Sequence, residues 1–143
     1  MTRATWLLVL AGVLALGCSN ACSLDDDLQL FAGDAALDCG TAADDRAKVD
    51  ACVSGAFDDG TAFIARYQQQ GDDSRLITAV AMNTAGTVKV FRWDSSPCGG
   101  GSCSPVTDAQ TCETPSLATM TSDDENALPI ECKSLGLAQR TCG

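Results

Sequence analysis

The chain has 143 residues, of which 19 are acidic and nine are basic, and it contains no histidine. The net charge of −10 argues against binding to nucleic acid or to anionic lipid headgroups, because both need a basic surface. The missing imidazole excludes Ser-His-Asp and Cys-His catalysis and histidine-ligated zinc. The length is enough for one domain, and no motif predicts a cofactor or a bound metal.

Residues 1–17 have the pattern of a secretory signal peptide. Arg3 is the only charge before Asp25, and the run 5–17 is apolar apart from Thr5 and ends in small residues. Export signals share this order of charged, apolar and small-residue regions. The run is too short for a membrane span, which needs about 20 apolar residues. We expect residues 1–17 to be removed on export, which leaves a net charge of −11 because the leader contains one base and no acid.

The apolar run ends in the sequence LALGC, residues 14–18. This ending resembles the lipobox of bacterial lipoproteins at Gly17 and Cys18, although Ala15 stands where leucine is usual. The resemblance implies that the Cys18 thiol takes a diacylglycerol and becomes the mature N-terminus. The residue that follows is of the type that permits sorting to the outer membrane. The membrane would then be a partner through a covalent lipid anchor. The alternative is an ordinary signal peptide that is cleaved after Ala21.

The exported chain divides into a tether and one domain. Residues 18–38 are small, polar and acidic, and we expect them to form a lipid-attached tether. Residues 39–143 are expected to form a single exported, disulfide-rich α+β domain. Within the tether, Leu28, Leu30 and Phe31 are apolar at helical spacing. They favour a short docked helix, and a partly ordered linker is the alternative.

The segment 41–57 predicts the clearest helix. Its apolar residues fall at i, i+3, i+4, i+7 and i+8 and so form one stripe. Thr41 is the expected N-cap, with Asp44 three residues later in a capping-box-like position. Gly60 is the expected C-terminal stop. The stripe consists of Val49, Cys52, Val53, Ala56 and Phe57.

Three strand-like runs follow at 61–67, 75–82 and 87–93. The first and third alternate, whereas the second is apolar almost throughout, which is typical of a strand covered on both faces. The short connections contain glycine and predict hairpin turns, so the runs form an antiparallel meander. Phe63, Ala65 and Tyr67 share one face of the first run, and the third run places Val88 and Val90 on one face and Phe91 and Trp93 on the other.

The predicted fold class is α+β, with one amphipathic helix packed on a three- to four-stranded antiparallel sheet. From Asp94 onward, loop residues and cysteines dominate. Residues 106–112 and 128–133 are weak strand candidates there. We therefore expect a loop-rich C-terminal half that depends on disulfides, each of which typically contributes about 2–4 kcal/mol.

Nine cysteines in an exported chain indicate a disulfide framework. If Cys18 carries lipid, eight remain, and cleavage after Ala21 would leave the same eight. Cys98 and Cys103 favour a small closed loop over a zinc site, because no second close pair of cysteines completes the ligand set. The other pairings stay open, and the suggested ones are Cys112 with Cys132, Cys39 with Cys52, and Cys22 with Cys142.

Pairs of acidic residues recur along the chain. They suggest a calcium site or the two carboxylates of a sugar hydrolase, although none fits the EF-hand pattern. The simpler interpretation is a solvated acidic surface with helix and turn caps. The acidic groups are Asp44-Asp45, Asp58-Asp59, Asp72-Asp73 and Asp123-Asp124-Glu125.

These observations predict a lipid-anchored cell-envelope protein, exported and held at the outer membrane, with a non-catalytic binding or structural role. No catalytic residue is assigned, and a protein or small-ligand partner is left open. One alternative is a secreted disulfide-rich inhibitor or ligand-binding module that uses the loop between Cys98 and Cys103. The other is an envelope hydrolase that uses paired carboxylates.

Overall fold

The computed structural model describes residues 22–71, 73–99, 103–119 and 127–142. Within these ranges the chain forms two helices and seven strands of one sheet. The predicted leader and Cys18 lie outside them. The elements in chain order are α1 (Leu24–Ala32), β1 (Leu37–Thr41), α2 (Ala42–Asp58), β2 (Phe63–Gln70), β3 (Arg75–Met82), β4 (Val88–Asp94), β5 (Val106–Leu117), β6 (Ile130–Leu135) and β7 (Gln139–Cys142).

The sheet is mostly antiparallel, with the strand order β1-β2-β3-β4-β5-β6. Only the pairing of β1 with β2 is parallel among the described strands. On one side β5 pairs with β4. On its other side, its first half pairs with β7 and its second half with β6. The long strand β5 therefore connects the predicted meander to the C-terminal strands.

The predicted α+β class is confirmed, but the expected number of elements is too low. The prediction missed β1 and β7, whose sequences LDCGT and QRTC show no apolar alternation. Such edge strands form through backbone hydrogen bonds while most of their side chains stay in water, so no hydrophobic pattern marks them. The C-terminal half is also less loop-rich than predicted, because β5 alone spans 12 residues.

Helix α2 packs its predicted stripe on one face of the sheet. Val49, Val53 and Ala56 are buried against a cluster that includes Phe63 and Val80. The predicted faces of the three-strand meander are confirmed. The side chains packed on the α2 side include Ala65, Tyr67, Val88 and Val90, and those on the opposite side include Phe91 and Trp93.

The start of α2 differs from the prediction, whereas its end agrees. Thr41 makes no side-chain cap. Asp45 has extended backbone angles, and its Oδ1 accepts the Lys48 N–H at 3.1 Å, so Asp45 caps the regular part of the helix. Gly60 has a positive φ of 66°. Its N–H donates to the Phe57 carbonyl, and the next N–H donates to the carbonyl of the residue before Phe57, which is a Schellman stop.

Helix α1 is the short docked helix that the sequence favoured within residues 18–38, and its described residues are packed on the sheet. Ser23 Oγ accepts the Asp26 N–H, so the acidic run supplies the first turn of a helix, where the dipole favours negative charge. Leu28 is completely buried, whereas Leu30 is 88% exposed, although the sequence grouped the two together. The helix covers the sheet face opposite α2, so the domain has three layers.

Ion pairs and hydrogen bonds tie α1 to both edges of its sheet face. The Arg66 guanidinium on β2 binds Asp25 of α1 at 2.7 Å and Asp38 of β1 at 2.8 Å. Burial works to lower the pKa of Arg66, but the two carboxylates raise it overall, so the group stays charged. Thr141 of β7 donates its hydroxyl to Asp27 of α1 at 2.8 Å. These contacts attach α1 to the sheet that strands β1 to β7 build.

The described cysteines form four pairs with Cα–Cα distances of 5.2 to 5.9 Å. Disulfide bonding is thus confirmed, and the pairs coincide with those suggested from the sequence. One bond joins the start of α1 to β7, one joins β1 to α2, one closes the β4–β5 loop, and one joins β5 to β6. The pairs, in that order, are Cys22–Cys142, Cys39–Cys52, Cys98–Cys103 and Cys112–Cys132.

Candidate binding groove

A groove opens on the sheet face that carries α2, beyond the N-terminal end of that helix. The second turn of α2 lies over Tyr67, whose hydroxyl donates to Asp50 Oδ1 at 2.9 Å. On this face Val80 is completely buried, whereas Leu76 and Thr78, further along the same strand, are only half-buried. The capped start of α2 therefore leaves the far end of the sheet face open to solvent.

Two rows of side chains across the strands form the floor of the groove. Thr78 on β3 is the cross-strand partner of Arg92 on β4, which is in turn the partner of Asp108 on β5. Arg140 of β7 pairs with Asp108 and ends this row. Directly opposed residues of antiparallel strands have Cβ atoms about 5 Å apart, so the row is continuous. The outer row contains Leu76, Asp94 and Val106.

The segment that leads into β6 forms a wall of the groove, with Leu128 and Ile130 among the lining side chains. The Ala127 carbonyl accepts a hydrogen bond from Arg46 Nη2. Arg46 also pairs with Asp50 at 3.3 Å and lies over the Tyr67 ring. These contacts join the wall to the start of α2.

The groove, which is open to solvent, has a volume of about 870 Å³. Binding sites for small molecules commonly have about 300–1,000 Å³, so the groove is large enough for one. Pro97, which precedes the disulfide-closed loop between β4 and β5, also lines it. The described start of the predicted Cys98–Cys103 loop thus directly follows a residue that lines the groove.

The charged side chain of Arg92 on the groove floor has no direct polar contact with the described residues. Arg140 binds Asp108 at 3.1 Å, and Asp94 Oδ1 accepts the Ser96 N–H at 2.8 Å. The exposed guanidinium of Arg92 makes no ion pair or hydrogen bond with any described residue, whereas the other described arginines each have a polar partner. Arg92 therefore presents a positive charge that has no direct polar contact with the described residues, in a strongly acidic protein.

Tyr67, a core residue and the cross-strand partner of the groove-lining Thr78, is a fixed hydrogen-bond donor to Asp50. Burial raises its pKa well above the ordinary value of 10.0, and the hydrogen bond to Asp50 and the negative charge of Asp50 act in the same direction. The nearby Arg46 opposes this shift only in part. The phenol stays protonated at neutral pH and cannot act as a base there.

The acidic pairs singled out in the sequence do not form a site in the described chain. Asp44-Asp45 begins α2 and Asp58-Asp59 ends it. The groups at 72 and 123–125 lie outside the described residues. Across the described ranges, no three His, Cys, Asp or Glu side chains come together as metal ligands would. The structure therefore assigns the described pairs to helix ends and not to a calcium site.

Sequence reasoning did not identify Arg92 as a functional residue. The signal was present, because alternation puts Arg92 on the same face as Val88 and Val90, where an apolar residue is expected. The partners Thr78, Asp108 and Arg140 carried no such signal, since only the strand register brings them beside Arg92.

Comparison with protein-family models, with curated proteins and with solved structures found no significant match. In the described part of the chain, neither helix has the length and apolar content that crossing a membrane requires. The groove and the cysteine pairing are therefore the observations from which function has to be argued.

Proposed function

We propose that this chain is an exported protein that a lipid on Cys18 anchors to the outer membrane, and that its domain acts by binding. The observation that carries the anchor is the lipobox-like sequence LALGC at residues 14–18, and the cysteine pairing is consistent with it. The other eight of the nine cysteines pair with one another, so Cys18 is left without an intramolecular partner. A leftover thiol directly after a signal-peptide pattern fits lipid attachment better than it fits a free reactive thiol.

The Cys22–Cys142 bond has a consequence for this anchor. Three residues separate Cys18 from Cys22, so the four Cα–Cα steps between them can span about 14 Å at most. The domain would therefore lie close to the membrane surface, with β7 and the start of α1 facing it. A lipid anchor with several acyl chains would hold it there stably.

Binding is supported over catalysis by the state of the groove's polar groups. Asp94 and Asp108 are already engaged by Ser96 and Arg140. Side chains that are held in this way suit the positioning and selection of a ligand. The hydrolase alternative gains no support from the described acidic pairs, because Asp45 and Asp58 are about 20 Å apart along α2, beyond the separation of two carboxylates that act on one glycosidic bond.

A secreted ligand-binding or inhibitory module is the second candidate. The position of Pro97 favours it, because this residue lines the groove and directly precedes Cys98, which is bonded to Cys103. This candidate shares the binding site and differs in lacking the anchor. A panel of proteases assayed with micromolar protein tests the inhibitory version, which an absence of inhibition would remove.

Fractionation of cells that express the full chain, followed by mass spectrometry of the mature protein, tests the anchor. Wild type should partition with detergent-extracted membranes and carry a lipid-modified N-terminal Cys18. The Cys18→Ser variant should lose both properties, and Ser19→Ala is the matched control that keeps the thiol. A Cys18→Ser variant that partitions like wild type refutes the anchor. A soluble wild-type protein that begins at Cys22 identifies plain secretion.

A further inference from the structure

The isolated cation on the groove floor indicates the charge of a ligand. Arg92 has no partner among the described residues, although Asp108 is directly opposite it on β5. The carboxylate of Asp108 forms its ion pair with Arg140 and not with Arg92. The half-buried Thr78 lies on the other side and makes no side-chain hydrogen bond with a described residue. A guanidinium and a hydroxyl thus stand side by side and can donate to the two oxygens of one carboxylate.

The surroundings of Arg92 favour an anion with a single charge. Asp94 and Asp108 lie within the groove, and Glu131 is at its wall. Together with Arg92 and Arg140, these groups carry three negative and two positive charges. A dianionic phosphate would meet stronger repulsion from the carboxylates than a singly charged carboxylate does, and the single charge can be paired by Arg92 alone. The site therefore selects against phosphate monoesters.

The rest of the groove is apolar enough to hold a hydrocarbon tail. Leu76 and Val106 belong to the outer floor row, and Leu128 and Ile130 belong to the wall. Leu76, Val106 and Leu128 are only half-buried, so their exposed area gains from being covered. A ligand of about 870 Å³ or less can occupy the space.

We propose that the Arg92 groove binds a long-chain carboxylate of the fatty-acid class. The carboxylate receives hydrogen bonds from Arg92 and Thr78, and the chain lies between the outer floor row and the wall. This deepens the proposed function, because it rests on the domain acting by binding. It is independent of the lipid anchor, because the groove is built entirely from residues of the folded domain.

Displacement of a fluorescent polyene fatty acid from the mature full chain tests this proposal. The protein carries Cys18→Ser so that no acyl chain of its own can compete. Palmitate should displace the probe, and palmityl alcohol should bind about tenfold more weakly or worse, because it lacks the charge that Arg92 recognises. A lysophosphatidate, which carries a phosphate monoester, should bind no better than palmitate. Equal displacement by palmitate and the alcohol, or no displacement by palmitate, overturns the proposal.

Variants assign the recognition to Arg92. Arg92→Gln should weaken palmitate binding about tenfold or more and leave binding of palmityl alcohol unchanged. Arg92→Lys keeps the charge and should retain part of the affinity. Lys133→Gln is the matched control, since Lys133 is an exposed cation on β6 that does not line the groove. The proposal is overturned if Arg92→Gln binds palmitate with wild-type affinity, or if the groove binds a peptide carboxylate in place of palmitate. Neither result bears on the anchor at Cys18.

Discussion

Leu28→Ala tests whether α1 is part of the folded core. Leu28 is completely buried, and Ala79, Ala81 and Ala109 are among the residues of the cluster that surrounds it. These alanines lie on β3 and β5, which β4 holds together in the sheet, so their short side chains cannot move in to fill a cavity. The cost should therefore lie well inside the range measured for buried leucines, at about 3 kcal/mol of unfolding free energy. For a domain of this size, that corresponds to a fall in melting temperature of about 10 °C.

The same helix offers a matched control and a probe. Leu30 is 88% exposed, so Leu30→Ala should change the unfolding free energy by no more than about 0.5 kcal/mol. The chain has two tryptophans, and only Trp93 follows the leader. Trp93 packs against the α1 cluster, so its fluorescence reports undocking directly.

Urea unfolding with the disulfides intact, followed through Trp93 fluorescence, is the assay. The midpoint for Leu28→Ala should fall clearly, and that for Leu30→Ala should stay at the wild-type value. Equal midpoints for the two variants would refute the docking of α1. They would restore the interpretation of residues 18–38 as a tether.

Two further predictions concern α2 and its contact with the sheet. Asp45→Ala removes the cap on the Lys48 N–H and should lower the free energy of unfolding by about 1 kcal/mol in chemical denaturation. Asp44→Ala removes the same charge without removing a cap, so it should lower that free energy by less. Equal losses for the two variants would show that the charge alone matters. Tyr67 is the only tyrosine, so tyrosinate absorbance reports its ionisation alone. Its folded pKa is raised above the unfolded value of 10.0, so its contribution to stability is complete below pH 10 and is lost as the pH rises further. Tyrosinate should appear only as the protein unfolds, and a midpoint near pH 10 with native circular dichroism would contradict this.

Several elements could be predicted because their signal lies within a few consecutive residues. The stripe from Val49 to Phe57 places one face of α2 in the core through the period of the helix alone. The faces of β2 and β4 follow in the same way from the period of a strand, whereas the nearly continuous apolar run of β3 predicts only that it is covered on both faces. The stop at Gly60 also needs only local chemistry, since a glycine adopts the left-handed conformation that ends a helix.

Other features could not be predicted because they depend on contacts between distant residues. Leu28 and Leu30 are equally apolar, and only the position of the sheet decides which of them is buried. β7 exists because Cys142 is held beside the start of α1 and because the first half of β5 has a free edge. The N-cap moved from Thr41 to Asp45 because Thr41 is itself part of β1, which pairs with β2.

The sequence by itself determined the α+β class, the core face of α2 and the use of cysteines as crosslinks, and it supplied the hypothesis of an anchor at Cys18. The tertiary structure decided the three-layer arrangement and the groove. The isolation of Arg92 is the clearest case. The sequence shows its charge but does not show that it has no polar partner among the described residues. That lack arises because the strand register brings Arg140, 32 residues beyond Asp108, to the carboxylate that would otherwise neutralise Arg92.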